Sequence, residues 1–192
     1  MPDPSRTMLL LRRALLAACV AALAVLLWRA AGVSGELARD REASRTYQYG
    51  LELLAAGEYR GASRAFRAVL VLSPRAVEAY GPLAEAEVRQ RHYETAIAVY
   101  QRWLAIYPYT YVAALYREVA VIELRAGRPG DAKRDLTRST ALDPSDWHAW
   151  HLLGHAHLRL GEIAAAGGAW RQVIRLNPQF QPARDQLRRL GD

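Results

Sequence analysis

Apolar positions recur at three- and four-residue steps over most of this chain, in stretches interrupted by short polar turns and stopped by prolines, the pattern of amphipathic helices rather than strands. Four stretches end alike, at Leu72-Ser73-Pro74, Ile106-Tyr107-Pro108, Leu142-Asp143-Pro144 and Leu176-Asn177-Pro178, with the prolines 34, 36 and 34 residues apart. Seventeen residues before each proline stands Gly57, Arg91, Gly127 or Gly161. Five residues after that turn comes a small residue, Ala62, Ala96, Ala132 or Ala166, and four later a large one, Phe66, Tyr100, Leu136 or Trp170. That spacing puts small and large side chains on one helical face, where neighbouring hairpins can interdigitate. Upstream, Tyr49-Gly50, Leu83-Ala84, Val119-Ala120 and Leu153-Gly154 repeat a bulky-small pair on a first helix. The unit is therefore helix A, turn, helix B and a proline stop, and such units stack around one shared core.

At these residues the chain resembles the tetratricopeptide repeat (TPR) family. Its fourth unit fits best, with Trp150, Leu153, Gly154, Gly161, Ala166, Trp170 and Pro178 at the family's landmark positions. The resemblance implies an all-α fold, a right-handed α-solenoid of four TPR hairpins at 43–76, 77–110, 113–146 and 147–180. Ala183, Leu187 and Leu190 form the apolar face of a C-terminal capping helix in 181–192, with arginines between them. Repeat two departs from the pattern at Pro82, which predicts a late-starting helix A. Repeat three follows a two-residue insertion around Tyr111 and Val112 and carries Glu123 at an ordinarily apolar position, so its register is the least secure.

The N-terminus follows a different rule. Residues 14–28 carry no charge, with Arg12 and Arg13 before them and Arg29 after. A helix of that run is about 22 Å long against a hydrocarbon core of about 30 Å, and flanking arginines can snorkel while 30–33 extend it. This predicts a basic segment 1–13, a single-pass transmembrane helix 14–33 and a linker 34–42. A cleaved secretory signal, a lipidation site at Cys19 and a twin-arginine signal at Arg12-Arg13 are the weaker readings. Basic residues flank the run three against three, so charge alone does not orient it. The layout favours the cell membrane as location, with the repeats on the periplasmic or extracytoplasmic side.

The family resemblance also implies a concave groove lined by helix A. In repeat one that face offers Ser44, Tyr47, Leu51, Leu54 and Ala55, and in repeat two Glu78, Gly81, Glu85, Arg89 and Gln90. Repeat three supplies Ala114, Arg117, Val121, Leu124 and Arg125, and repeat four His148, His151, His155, Leu158 and Arg159. An amphipathic helix or an extended peptide with some acidic character suits this mixed floor. Tyr47 and Leu51 occupy places where chaperone-tail clamps of the family need lysine and asparagine, which disfavours that ligand. The expected partners are other proteins, subunits of a membrane or envelope complex, with the membrane itself engaged by the N-terminal helix.

His148, His151 and His155 share one face and form the alternative reading, a haem- or metal-handling site, although histidines on a groove are more often polar lining. No cofactor is expected. Tyr107, Tyr109 and Tyr111 surround Pro108 and are expected to plug the junction widened by the insertion, the alternative being a partner-facing edge. The net charge of +7 falls to +4 from residue 30 onward, 22 basic against 18 acidic residues, and is mixed in sign along the helices. With no basic stripe, nucleic acid is not an expected partner. The chain also lacks a phosphate loop, a nucleophile motif and a paired-carboxylate constellation, so it does not read as an enzyme.

Overall fold

The structure, a computed structural model, describes the backbone of residues 4–109 and 111–191, and within the first 34 residues the side chains of 22–29 and 32. It is an all-α solenoid of hairpins, without strands among the described residues. Helix α1 (Pro4–Ala55) and α2 (Tyr59–Leu72) make the first hairpin, and a 3₁₀ turn (Val77–Ala79) leads into α3 (Tyr80–Arg89) and α4 (Tyr93–Ile106). Helices α5 (Val112–Arg125) and α6 (Pro129–Leu142), then α7 (Trp147–Arg159) and α8 (Ile163–Leu176), complete the array, and α9 (Gln181–Leu190) covers its end.

Each hairpin turns by the same device. The amides of Glu58, His92, Arg128 and Glu162 reach back to the carbonyls of Leu53, Glu87, Glu123 and His157, at 2.8, 2.9, 2.8 and 2.9 Å. This six-to-one closure needs a left-handed residue one step earlier. Gly57, Gly127 and Gly161 supply it at φ 78, 76 and 76°, and Arg91 supplies it at 62°. Across the first and fourth hairpins a glycine admits an aromatic ring. A Cβ at Gly50 would lie 2.8 Å from Phe66, and one at Gly154 would lie 2.5 Å from Trp170, both fully buried rings. The small-large pairing of the sequence is thus a packing requirement.

Two departures from the regular unit have local causes. Pro82 sits in the first turn of α3, where its missing N–H is harmless, and the 3₁₀ turn replaces the opening turn of helix A. Before α5 the chain takes Tyr111 into a left-handed conformation, φ 55°, which absorbs the inserted residues. Of the three junction tyrosines, Tyr107 is tied down by a hydroxyl bond to the Arg75 carbonyl at 3.2 Å, whereas Tyr109 and Tyr111 are 95% and 72% exposed. Tyr109 and Tyr111, so exposed, do not plug the junction, and Tyr107 is tied to the loop that precedes repeat two.

Segment 34–42, read from sequence as a linker, is helical, because α1 continues through it into repeat one. The Ser44 and Thr46 hydroxyls bond back to the carbonyls of Asp40 and Glu42 at 2.9 and 2.8 Å and so sit within the helix instead of ending it. Among the described residues no helix is long and apolar enough to cross a membrane. The expected anchor 14–33, with Cys19 and Arg12-Arg13, lies largely outside the residues whose side chains are described.

Candidate functional site

Along the A helices the described residues form a smaller hollow at repeat one and a larger cleft between repeats two and three. Between α1, α2 and the 3₁₀ turn lies a hollow of 330 Å³ touched by Ser44, Tyr47 and Glu78. Tyr47 also packs edge-on against Phe66, ring centroids 5.7 Å apart, and Leu51 and Leu54 lean on the same core, so these three are half structural. The larger cleft, 780 Å³, opens between α3 and α5 with α4 as its back wall. It gathers the expected residues Glu85, Arg89, Val121 and Arg125, and adds Val88, Arg91, Tyr93, Tyr100 and Glu118.

Its electrostatics follow from burial and pairing. Burial, with the carboxylates of Glu118 and Glu85 nearby, pushes the Tyr100 phenol up to about 12, so it stays a neutral hydrogen-bond donor. Glu85 is engaged by Arg89 at 3.2 Å and Glu118 by Arg117 at 3.1 Å.

Several expected groove residues have other employment. Arg117 reaches Asp146 at 2.5 Å, and Asp146 in turn caps α7 by accepting from the amides of His148 and Ala149 at 3.0 and 3.2 Å. Arg117 is therefore a strut between repeats three and four. Leu124 is core, with its carbonyl taken by Arg159. Gln90 turns away from the groove to the carbonyls of Tyr59 and Ala86, at 3.2 and 3.0 Å.

The histidine face divides. His151 and His155 meet through their Nε2 atoms at 3.1 Å, backed by Phe180 and Trp170. Burial first, then the neighbouring His155 and His148, takes His151 down to about 4, and burial with Arg159 also lowers His155. Both rings are neutral near pH 7. His148 instead stacks on Trp147 at 3.5 Å between ring centroids, beside Asp146. The three rings therefore do not converge, and among the described residues no group of three or more His, Cys, Asp or Glu is placed to hold a metal ion.

The Tetratricopeptide repeat family profile matches residues 47–110 and 120–179, more than half of the chain. The chain belongs to the tetratricopeptide repeat family. The TPR fold is typically a non-enzymatic scaffold for protein-protein interaction. Among solved structures it is similar in fold to MamA, at 22% identity and a TM-score of 0.68, covering 77% of this chain and 80% of that one. PilF of Pseudomonas aeruginosa gives 21% identity and a TM-score of 0.64, covering 79% and 68%. The first TPR of Spaghetti (RPAP3), bound to an HSP90 peptide, gives 23% identity and 0.55, covering 60% and 90%. No curated protein matches the chain in sequence.

Which cleft residues were visible beforehand depends on the insertion. The family's groove positions assume even stacking and thus name only α3 and α5. The back wall becomes accessible where those helices part, which is why Tyr93 and Tyr100 escaped notice. Arg91 carried a signal, as the one turn residue of the four that is not glycine.

Proposed function

We propose that the protein is a membrane-tethered TPR scaffold whose concave face holds a peptide or helical segment of a partner protein and so supports assembly of an envelope complex. The observation that carries this reading is the open cleft between α3 and α5, with an apolar floor, charged rims and no covering element among the described residues. A preformed concavity of this kind, lined by apolar side chains and a few polar ones, suits a partner segment. The peptide-bound RPAP3 repeat supports the same use of the fold.

Tethering rests on α1. Leu23, Val25, Leu26, Leu27 and Trp28 are all half or more exposed, and at 100° per residue they surround the helix on every side. A water-facing helix has a polar face, and this stretch has none. The repeats would then lie on the extracytoplasmic side.

Crosslinking and affinity capture from native membranes test the scheme, comparing wild type with Val121→Glu plus Arg125→Glu. A partner recovered with the wild type and lost with the double variant is the expected result. Equal recovery from both, or no partner, overturns it.

A further inference from the structure

The large cleft lies between repeats two and three. Helix α1 touches α3 and α5 touches α7, yet α3 and α5 do not approach each other comparably, because the two inserted residues set α5 back. The wedge that opens is floored by Val88, Val121 and Ile122 and backed by Tyr100.

Arg91 stands at its rim in a left-handed conformation that its three counterparts adopt as glycines. A side chain there costs about 1–2 kcal/mol of backbone strain that glycine avoids. The hairpin itself gains nothing from the guanidinium, since the turn closes through backbone bonds alike in all four units. Strain retained at the mouth of a cavity points to use of that side chain. The charges agree. Glu85 and Glu118 are taken by Arg89 and Arg117, so among the described residues Arg91 and Arg125 are the two cleft guanidiniums without an ion-pair partner.

We propose that this cleft seats an extended acidic segment of a partner protein, whose carboxylates bridge Arg91 and Arg125 while one aliphatic or aromatic side chain enters the wedge against Tyr100 and Val121. The inference rests on the reading of the groove as a partner-binding face and assigns it a place and a chemistry. Arginine forks suit carboxylates, and the apolar floor suits an anchoring side chain between them.

A display library of random short peptides, selected on the full-length protein in detergent micelles, tests it. The winning peptides are then titrated by fluorescence anisotropy against wild type, Arg91→Gly, Arg125→Gln and the distant control Arg188→Gln on α9. Selected peptides should carry Asp or Glu flanking a bulky apolar residue. Arg91→Gly and Arg125→Gln should each weaken binding by about 10-fold, the worth of a charge-assisted pair, with Arg188→Gln unchanged. Arg91→Gly should raise the melting temperature at the same time, which a residue kept for structure would not do. Peptides without acidic character, or affinities indifferent to both arginine changes, would sink the cleft assignment while leaving a groove scaffold standing. Selection of no peptide at all would remove both.

Discussion

Glu87 and Glu123 occupy the same step of helix A in successive repeats, both almost wholly buried, and they are chemically opposite. Around Glu87 the chain has placed the Ser63 hydroxyl, Arg67 at 2.8 Å and His92 Nδ1 at 3.0 Å. Burial raises its pKa, but the hydrogen bonds from Ser63 and His92 and the Arg67 charge outweigh that, and the net shift is downward. Glu123 has Ile97 and Gln101 in the places of Ser63 and Arg67, counting one repeat along. In the place of His92 it has Arg128, which is drawn off to Asp131 and Glu94 at 2.7 Å each. Its Oε2 is buried without a hydrogen-bond partner, and burial together with the Asp135 charge carries it up to about 7. A repeat period therefore fixes where a side chain stands, while its chemistry is decided by its neighbours, some of them contributed from the repeat before.

Breaking the well-partnered site should have the largest effect. Glu87→Ala removes the acceptor of a buried hydroxyl and leaves a void, and should cost about 3 kcal/mol, read as a lower urea midpoint at neutral pH. A loss below about 1 kcal/mol would mean that the Glu87 cluster is ornamental. At the orphaned site the sign reverses. Between the unfolded value of 4.5 and the folded value of about 7 the native state holds the Glu123 proton more tightly, so stability falls as pH rises through that window. Glu123→Gln should then stabilise the protein on the order of 2 kcal/mol at about pH 8 and by little near pH 4. Chemical denaturation at the two pH values decides it, and an equal gain at both would point to packing instead of charge.

The contrast between the two glutamates also marks what the sequence discloses. Prolines, turn glycines and small-large pairs were legible because each is a local demand of one hairpin, and Gly154 against Trp170 shows how tightly that demand is set. Glu123 was noticeable as a charged residue at an apolar step. Its fate was not, because the deciding residues are Ile97, Gln101 and an arginine with a choice of partners. Arg117 teaches the same lesson from the groove. Its sequence position faces the concave side, but Asp146, the residue that caps the first helix of the next repeat, claims it as a strut. The large cleft was foreshadowed only by the two-residue insertion, whose consequence, the parting of α3 from α5, is a property of stacking.

If contributed partners alone separate the two sites, then supplying them should convert one into the other. Ile97→Ser with Gln101→Arg transplants the Ser63 and Arg67 environment onto repeat three. Ile97 belongs to the cluster joining α3, α4 and α5, so the pair of changes loosens that core, and stability is the wrong readout. The carboxyl titration of Glu123 is the right one, followed by carbon-13 NMR on selectively labelled protein. Two new donors should bring its pKa down by about one unit or more, toward the ordinary carboxylate range. A value that stays near 7 would show that the insertion, by setting α5 back from α4, has moved Glu123 beyond the reach of side chains from repeat two. In that case the same two residues that open the cleft would also be what leaves this carboxylate alone.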